Sequence, residues 1–221
     1  MPIKRTYGEA GDGCMYAHAM DLIEDHWTGI IVRELLLGPK RFTDLSESAW
    51  GITPAVLTTR LEQLCGRGLV TTVALPLPAR GRAYDLTPWG RQLEPIVLAL
   101  GRWAHGSPTR PDVGALTPDG AALALLAMAP AQPMEPPIEI ELHLTDRRAA
   151  HGRSATFRLA WDDRLRVARG TLADPPCVVR ADATTLVREL LAGRRGELHV
   201  EGEAAALDRV AAALAGGVGT A

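Results

Sequence analysis

Hydrophobic residues recur at helical spacing through the first half of the chain and then switch to strict alternation. Residues 15–23 and 27–37 carry the helical period, and Ile30, Ile31, Leu35 and Leu36 form one face of the second segment. Gly38-Pro39 ends that segment, because Gly tolerates a left-handed exit and Pro cannot continue a helix. A short helix is predicted around Phe42 and Leu45, ending before Gly51. Thr53 caps the next helix, with Pro54 in its first turn, where a missing N–H costs nothing. There Leu57, Leu61 and Leu64 share one side and leave Ala55, Thr58, Thr59 and Glu62 on the other. Residues 69–73 are rich in β-branched side chains, 76–81 form a turn cluster and 82–86 alternate, which predicts a hairpin with Arg80 and Arg82 at or near its tip. One long helix is predicted from Thr87-Pro88 through Trp103, striped by Leu93, Ile96, Val97, Leu100 and Trp103.

Residues 107–114 have the Pro/Gly composition of a linker, and 117–128 read as an Ala/Leu-rich helix. Pro130, Pro133, Pro136 and Pro137 then break the chain. Residues 138–144 and 154–161 alternate, Asp162-Asp163 turns, and 165–169 return, which predicts an antiparallel meander. A strand over 177–181, a helix over 184–192, a strand over 197–200 and a closing helix over 204–214 complete an α+β unit, a roughly five-stranded sheet covered by helices. The expected organisation is therefore two domains, residues 1–106 and 115–221, joined by the linker 107–114.

The order of elements in the first domain is that of a winged helix-turn-helix, which lays one helix in a DNA major groove and a β-ribbon beside it on the backbone. The candidate DNA-binding residues are Lys40, Arg41, Thr53, Ala55, Thr58, Thr59, Arg60, Arg80 and Arg82. Thr hydroxyls suit phosphates and base edges, and their methyls suit thymine methyls. Arg80 and Arg82 offer forked donors to anionic oxygens. Arg60 borders the buried side of its helix, so both a phosphate and an internal carboxylate are open to it. The apolar stripe of the long helix, with Met15, Tyr16, Met20 and Ile23, exceeds what a small core needs, and a homodimer is expected.

The formal net charge of the 221 residues is only -2, so DNA affinity has to come from a local patch. Residues 33–82 hold seven Lys or Arg against four Asp or Glu, whereas residues 107–221 hold thirteen against fifteen. Cys14, Cys65 and Cys177 form no CxxC pair, which argues against a disulfide framework or a zinc site and for a reducing compartment. The longest apolar run, residues 121–131, is far short of the roughly 20 residues of a membrane span. A cytoplasmic protein without membrane contact is expected. The six His make no metal-binding spacing, and no phosphate loop or nucleophile elbow occurs. Glu139 with Glu141 and Asp162 with Asp163 read as solvated pairs. Neither an enzyme nor a cofactor or metal is expected.

Cys14, Ala19-Met20-Asp21-Leu22-Ile23, Asp25-His26-Trp27, Arg33-Glu34-Leu35, Gly38-Pro39-Lys40-Arg41-Phe42, Gly51-Ile52-Thr53, Leu57, Arg60-Leu61, Leu64, Gly68-Leu69-Val70, Tyr84, Leu86-Thr87, Gly90 and Trp103 form an ordered set. Over residues 14–106 this set resembles the HxlR family of bacterial transcription regulators. The resemblance implies a dimeric winged-helix protein that binds double-stranded DNA. Ala55 stands where that family often has a basic residue, and His26 where Arg is common. The family also contains redox sensors with a cysteine near the start of the first helix, the position that Cys14 matches. In the second domain, Val178 to Asp182, Leu186 to Gly193 and Gly196 to Glu203 resemble the C-terminal half of sterol carrier protein-like domains. That resemblance implies an apolar tunnel between sheet and helices, with Leu142, Phe157, Leu159, Trp161, Leu165 and Val167 as lining or core.

The expected function is thus a sequence-specific, homodimeric repressor modulated by an apolar small molecule at its second domain. Two alternatives stand beside it: thiol-based redox sensing through Cys14, and a lipid-binding module that does not act on DNA.

Overall fold

The computed structural model describes residues 6–23, 25–75, 81–109, 114–148, 153–196 and 198–218. The chain divides into two compact units, Met1–Glu94 and Pro95–Ala221.

The first unit opens with α1 (Met15–Ile23) and α2 (His26–Leu35). The Asp25 carboxylate caps α2 by accepting the Trp27 N–H at 2.9 Å. Ile31 and Leu35 on α2 are fully buried, and so is Glu34, which falls on the same stripe. After α3 (Phe42–Ser48) the chain turns through Gly51 at φ +90°, a left-handed conformation that side chains resist, and enters α4 (Pro54–Gly66). The Thr53 hydroxyl caps α4 by accepting the Val56 N–H, while Leu57, Leu61 and Leu64 turn into the core. β1 (Val70–Ala74) and β2 (Arg82–Leu86) pair antiparallel, with Val70 opposite Leu86 and Ala74 opposite Arg82. Lys40 adds a backbone bridge to Tyr84 of β2 in both directions. These elements form a winged helix-turn-helix.

The long helix expected after Thr87 is two helices, α5 (Pro88–Arg91) and α6 (Glu94–His105). Pro95 is the cause: it has no N–H to give the Arg91 carbonyl, and its ring would collide with that carbonyl in a continuous helix. α5 is also pinned, since a Cβ on Gly90 would sit 2.2 Å from the Leu69 carbonyl oxygen.

In the second unit the Arg102 guanidinium of α6 donates to the Ala127 carbonyl of α7 (Pro118–Met128) at 2.8 Å. β3 (Ile138–Asp146), β4 (Arg153–Trp161) and β5 (Leu165–Arg169) form the meander. β6 (Cys177–Asp182) then runs parallel to β3, and after α8 (Ala183–Leu191), β7 (His199–Gly202) pairs antiparallel with β6 before α9 (Ala204–Val218). The five-stranded order is β5-β4-β3-β6-β7, an α+β arrangement. α7, α8 and α9 pack against one another and on one face of the sheet. That face is apolar: Ile140, Leu142, Leu144, Phe157, Leu159, Trp161 and Val179 are fully buried. At its margin the buried Asp119 carboxylate of α7 takes the Arg169 guanidinium at 2.6 Å, and that guanidinium also lies 5.4 Å from the centre of the Phe157 ring.

The opposite face carries polar side chains and is crossed by the loop after β5. There Glu141 is buried although the alternation places it outward. Its carboxylate accepts the Leu172 N–H at 2.6 Å and meets His143 Nε2 at 2.7 Å. The Leu172 N–H holds the Glu141 carboxyl below the usual carboxylate range, with help from His143. Among the described residues no helix is long and apolar enough to cross a membrane.

Candidate nucleic-acid interface

Ala55, Thr58 and Thr59 are exposed on the first turns of α4, on the side away from Leu57 and Leu61, and Thr53 is exposed at its N-cap. Both mid-helix threonines bond back to their own helix. The Thr58 hydroxyl donates to the Pro54 carbonyl at 2.9 Å, and the Thr59 hydroxyl to the Ala55 carbonyl at 3.1 Å. Their hydrogens are thus committed inward, while oxygen lone pairs and methyl groups remain outward.

The basic candidates divide by location. Arg82 is exposed at the turn end of the hairpin, opposite Ala74, and among the described residues its guanidinium makes a long contact, 3.4 Å, with the Thr72 hydroxyl. Its charge reaches α4: burial pushes the Cys65 thiol up, and the Arg82 charge partly offsets this. Arg41 is half-buried at the start of α3, and its Nε lies 4.0 Å from where a Cβ on Gly81 would stand. Arg41 and Arg82 therefore stand beside Gly81 at the turn end of the hairpin. Arg80 lies outside the described residues.

Two other cations expected at DNA are directed elsewhere. Lys40 is buried, and its ammonium pairs with the fully buried Glu34 at 2.5 Å, so the bridge to Tyr84 turns this side chain into the core. That placement takes it out of the solvent-facing surface. Glu34 also accepts the Arg33 guanidinium at 2.7 Å. Arg60 pairs with Asp25 at 2.7 Å and donates to Gln63 at 2.7 Å, so the internal carboxylate is its partner. It ties α4 to the N-cap of α2. An acidic residue on the Ile31, Leu35 stripe was the available signal for the first pair, since a buried carboxylate requires a cation. Trp50 was passed over as well. It stands 66% exposed in the turn that delivers α4, and Val56 is also exposed on the helix.

Cys14 is exposed immediately before α1. The backbone N–H groups of Ala17 and Tyr16 hold its thiol below the ordinary value. Cys177 is buried on the inner face of the second unit's sheet, and burial followed by the Glu203 charge pushes its thiol up. Leu142, Phe157, Leu159, Trp161, Leu165 and Val167 all lie on that inner face at 8% exposure or less.

A helix-turn-helix with a neutral, solvent-facing recognition helix and arginines at the turn end of its hairpin defines a DNA-binding transcriptional regulator. The profile of HxlR-like helix-turn-helix domains matches residues 22–110. An HTH-type transcriptional regulator of Synechocystis, sll1512, is 33% identical over 93 residues, covering 42% of this chain and 68% of its own. YybR, an HTH-type transcriptional regulator of Bacillus subtilis (strain 168), is 32% identical over 96 residues, covering 43% of this chain and 77% of its own. The chain belongs to the HxlR family. Among solved structures, the redox regulator HypR in its reduced form is 32% identical with a TM-score of 0.38, covering 42% of this chain and 91% of that one.

Proposed function

We propose that the protein is a homodimeric, sequence-specific repressor that places α4 in the major groove and the hairpin on the flanking backbone. The observation that carries this is the exposed, uncharged N-terminal half of α4 in a unit that also presents Arg82 in solvent at the turn end of its hairpin, with Arg41 next to it. Dimerisation is supported by apolar side chains left in solvent: Trp103 is 79% exposed and Leu100 53% on α6, and Met15 is 74% exposed on α1. A two-fold dimer would present two recognition helices about one DNA turn apart. Regulation would follow if an effector bound one dimer geometry better than the other and so shifted the population away from the DNA-competent one.

The second unit, residues 115–221 in this reading with 107–114 as linker, is the proposed effector domain. The strand order and the helices confined to one face support its likeness to a sterol carrier protein-like fold, and its ligand would be an apolar small molecule. The action proposed is binding in the cytoplasm, without catalysis.

The test is a titration of the full chain against duplex from its own upstream region and against scrambled duplex at two salt concentrations. Tighter, salt-sensitive binding to the upstream duplex is expected. Arg82→Ala should weaken binding about evenly across sequences and reduce the salt slope by about one, whereas Thr58→Ala with Thr59→Ala should erode discrimination between sites. Equal losses from both on every duplex would contradict this division, and salt-independent or absent binding would favour a lipid-binding module.

A second reading is favoured by Cys14, which is both exposed and held toward the thiolate. In it an electrophile adds to the Cys14 sulfur and the modified dimer releases DNA. Alkylation by iodoacetamide, mapped by mass spectrometry as pH is raised, should label Cys14 before Cys65 and Cys177. Cys14→Ser should then abolish any loss of DNA binding on treatment with a quinone. An unchanged response in Cys14→Ser would remove this reading.

A further inference from the structure

We infer that α4 selects a half-site of consecutive T·A base pairs, read through thymine methyl groups, with Trp50 and Val56 as specificity-determining residues. The inference rests on the DNA-binding reading and concerns what the reading face can and cannot recognise. Ala55 and Thr59 lie at the centre of the outward face of α4, with Thr58 on one flank and Val56 on the other. Every one of these residues presents a methyl group. Trp50, in the turn just before the N-cap, adds a large exposed ring to the same end of the helix.

The face is equally defined by what it lacks. From Pro54 to Glu62 the only cationic side chain is Arg60, which is held by Asp25 and Gln63. The Thr58 and Thr59 hydroxyl hydrogens are donated to the Pro54 and Ala55 carbonyls. What remains outward is a set of acceptors, the two hydroxyl oxygens and the Glu62 carboxylate, among methyl groups. The Thr53 hydroxyl sits apart at the N-cap, beside the backbone N–H groups that suit a phosphate.

In the major groove guanine shows two acceptors, N7 and O6, and its usual protein partner is the forked donor of Arg or Lys. Placed against Ala55, Thr58 and Thr59, a G·C pair would present these two acceptors and the cytosine amino group, but no methyl group. A T·A pair also presents two acceptors, thymine O4 and adenine N7, and one amino group, and it adds the thymine methyl, the match for the outward methyl groups. With Arg60 held by Asp25 and Gln63, this face offers guanine no forked donor, and the thymine methyl is what favours consecutive T·A pairs.

The experiment is selection of binding sites from a random duplex library by the full-length protein. Each thymine of the selected half-site is then replaced in turn by deoxyuridine, which lacks only the methyl group. Consecutive T·A pairs should be selected, and deoxyuridine at two or three adjacent positions should weaken binding about three- to fivefold each, the contribution of one buried methyl group. Val56→Ala should make one of those positions insensitive to the substitution, and Trp50→Ala should do so at the adjacent edge of the half-site. Selected sites with guanine at these positions, or no response to deoxyuridine anywhere, would overturn the inference while leaving salt-sensitive DNA binding intact. Failure to retain any duplex would overturn the DNA-binding reading and this inference with it.

Discussion

Lys40→Met is expected to destabilise the first unit by about 3 kcal/mol without altering the salt dependence of DNA binding. The ammonium is buried against Glu34, whose carboxylate has no exposure of its own. Removing one partner of a buried pair leaves the other charge without its compensation, and such losses run at about 3–5 kcal/mol. Arg33 still reaches Glu34, which keeps the expected loss at the lower end of that range. Hydrogen exchange followed at the amides of α2 and β2 reads the loss locally, because the bridge between Lys40 and Tyr84 joins these regions. Met keeps most of the volume, so the effect reports the charge rather than a cavity. A stable variant with a shallower salt slope would mean that Lys40 reaches a phosphate after all.

Phe157→Ala should cost the second unit about 3–5 kcal/mol, the range for truncating a fully buried aromatic side chain. Phe157 has no exposure, is flanked on β4 by the equally buried Leu159 and Trp161, and faces the Arg169 guanidinium that is paired with Asp119. Truncation would open a cavity and remove one face of that cation's surroundings together. Exchange protection at the amides of β3 and β4, with denaturant unfolding of the whole chain, measures the change. The outcome separates core from ligand lining. A side chain on an open apolar tunnel already faces space, so its loss would cost under about 1 kcal/mol. That smaller value would favour the effector-pocket role of the inner-face residues.

Local elements of the first unit were legible because their signals are local. Asp25 before α2, Thr53 and Pro54 at α4, and a β-branched run and an alternating run on the two sides of a turn cluster each act within a few residues. The inward leucines of α4 and the alternation of β3 and β4 followed from side-chain periods that every helix and strand obeys. The break between α5 and α6 was equally local: Pro95 carried it, and a continuous apolar stripe concealed it.

The candidate site was only half legible. Types and spacings placed Ala55, Thr58 and Thr59 on an outward face, as found. Charge alone said nothing of where each cation would end. Lys40 and Arg60 found carboxylates on α2 and at its cap, through packing between elements that are separate in sequence. The donor state of Thr58 and Thr59 also depended on rotamers that only the folded helix settles.

By itself the sequence determined the helices, strands and turns, their division into a winged helix-turn-helix and an α+β unit, and the family, since these rest on caps, periods and ordered residue types. The tertiary structure decided that β6 lies parallel to β3, that Glu141 is buried under Leu172, and which cations face solvent. Those outcomes depend on desolvation and on partners brought together across the chain, and a buried charge is stable only where such a partner arrives.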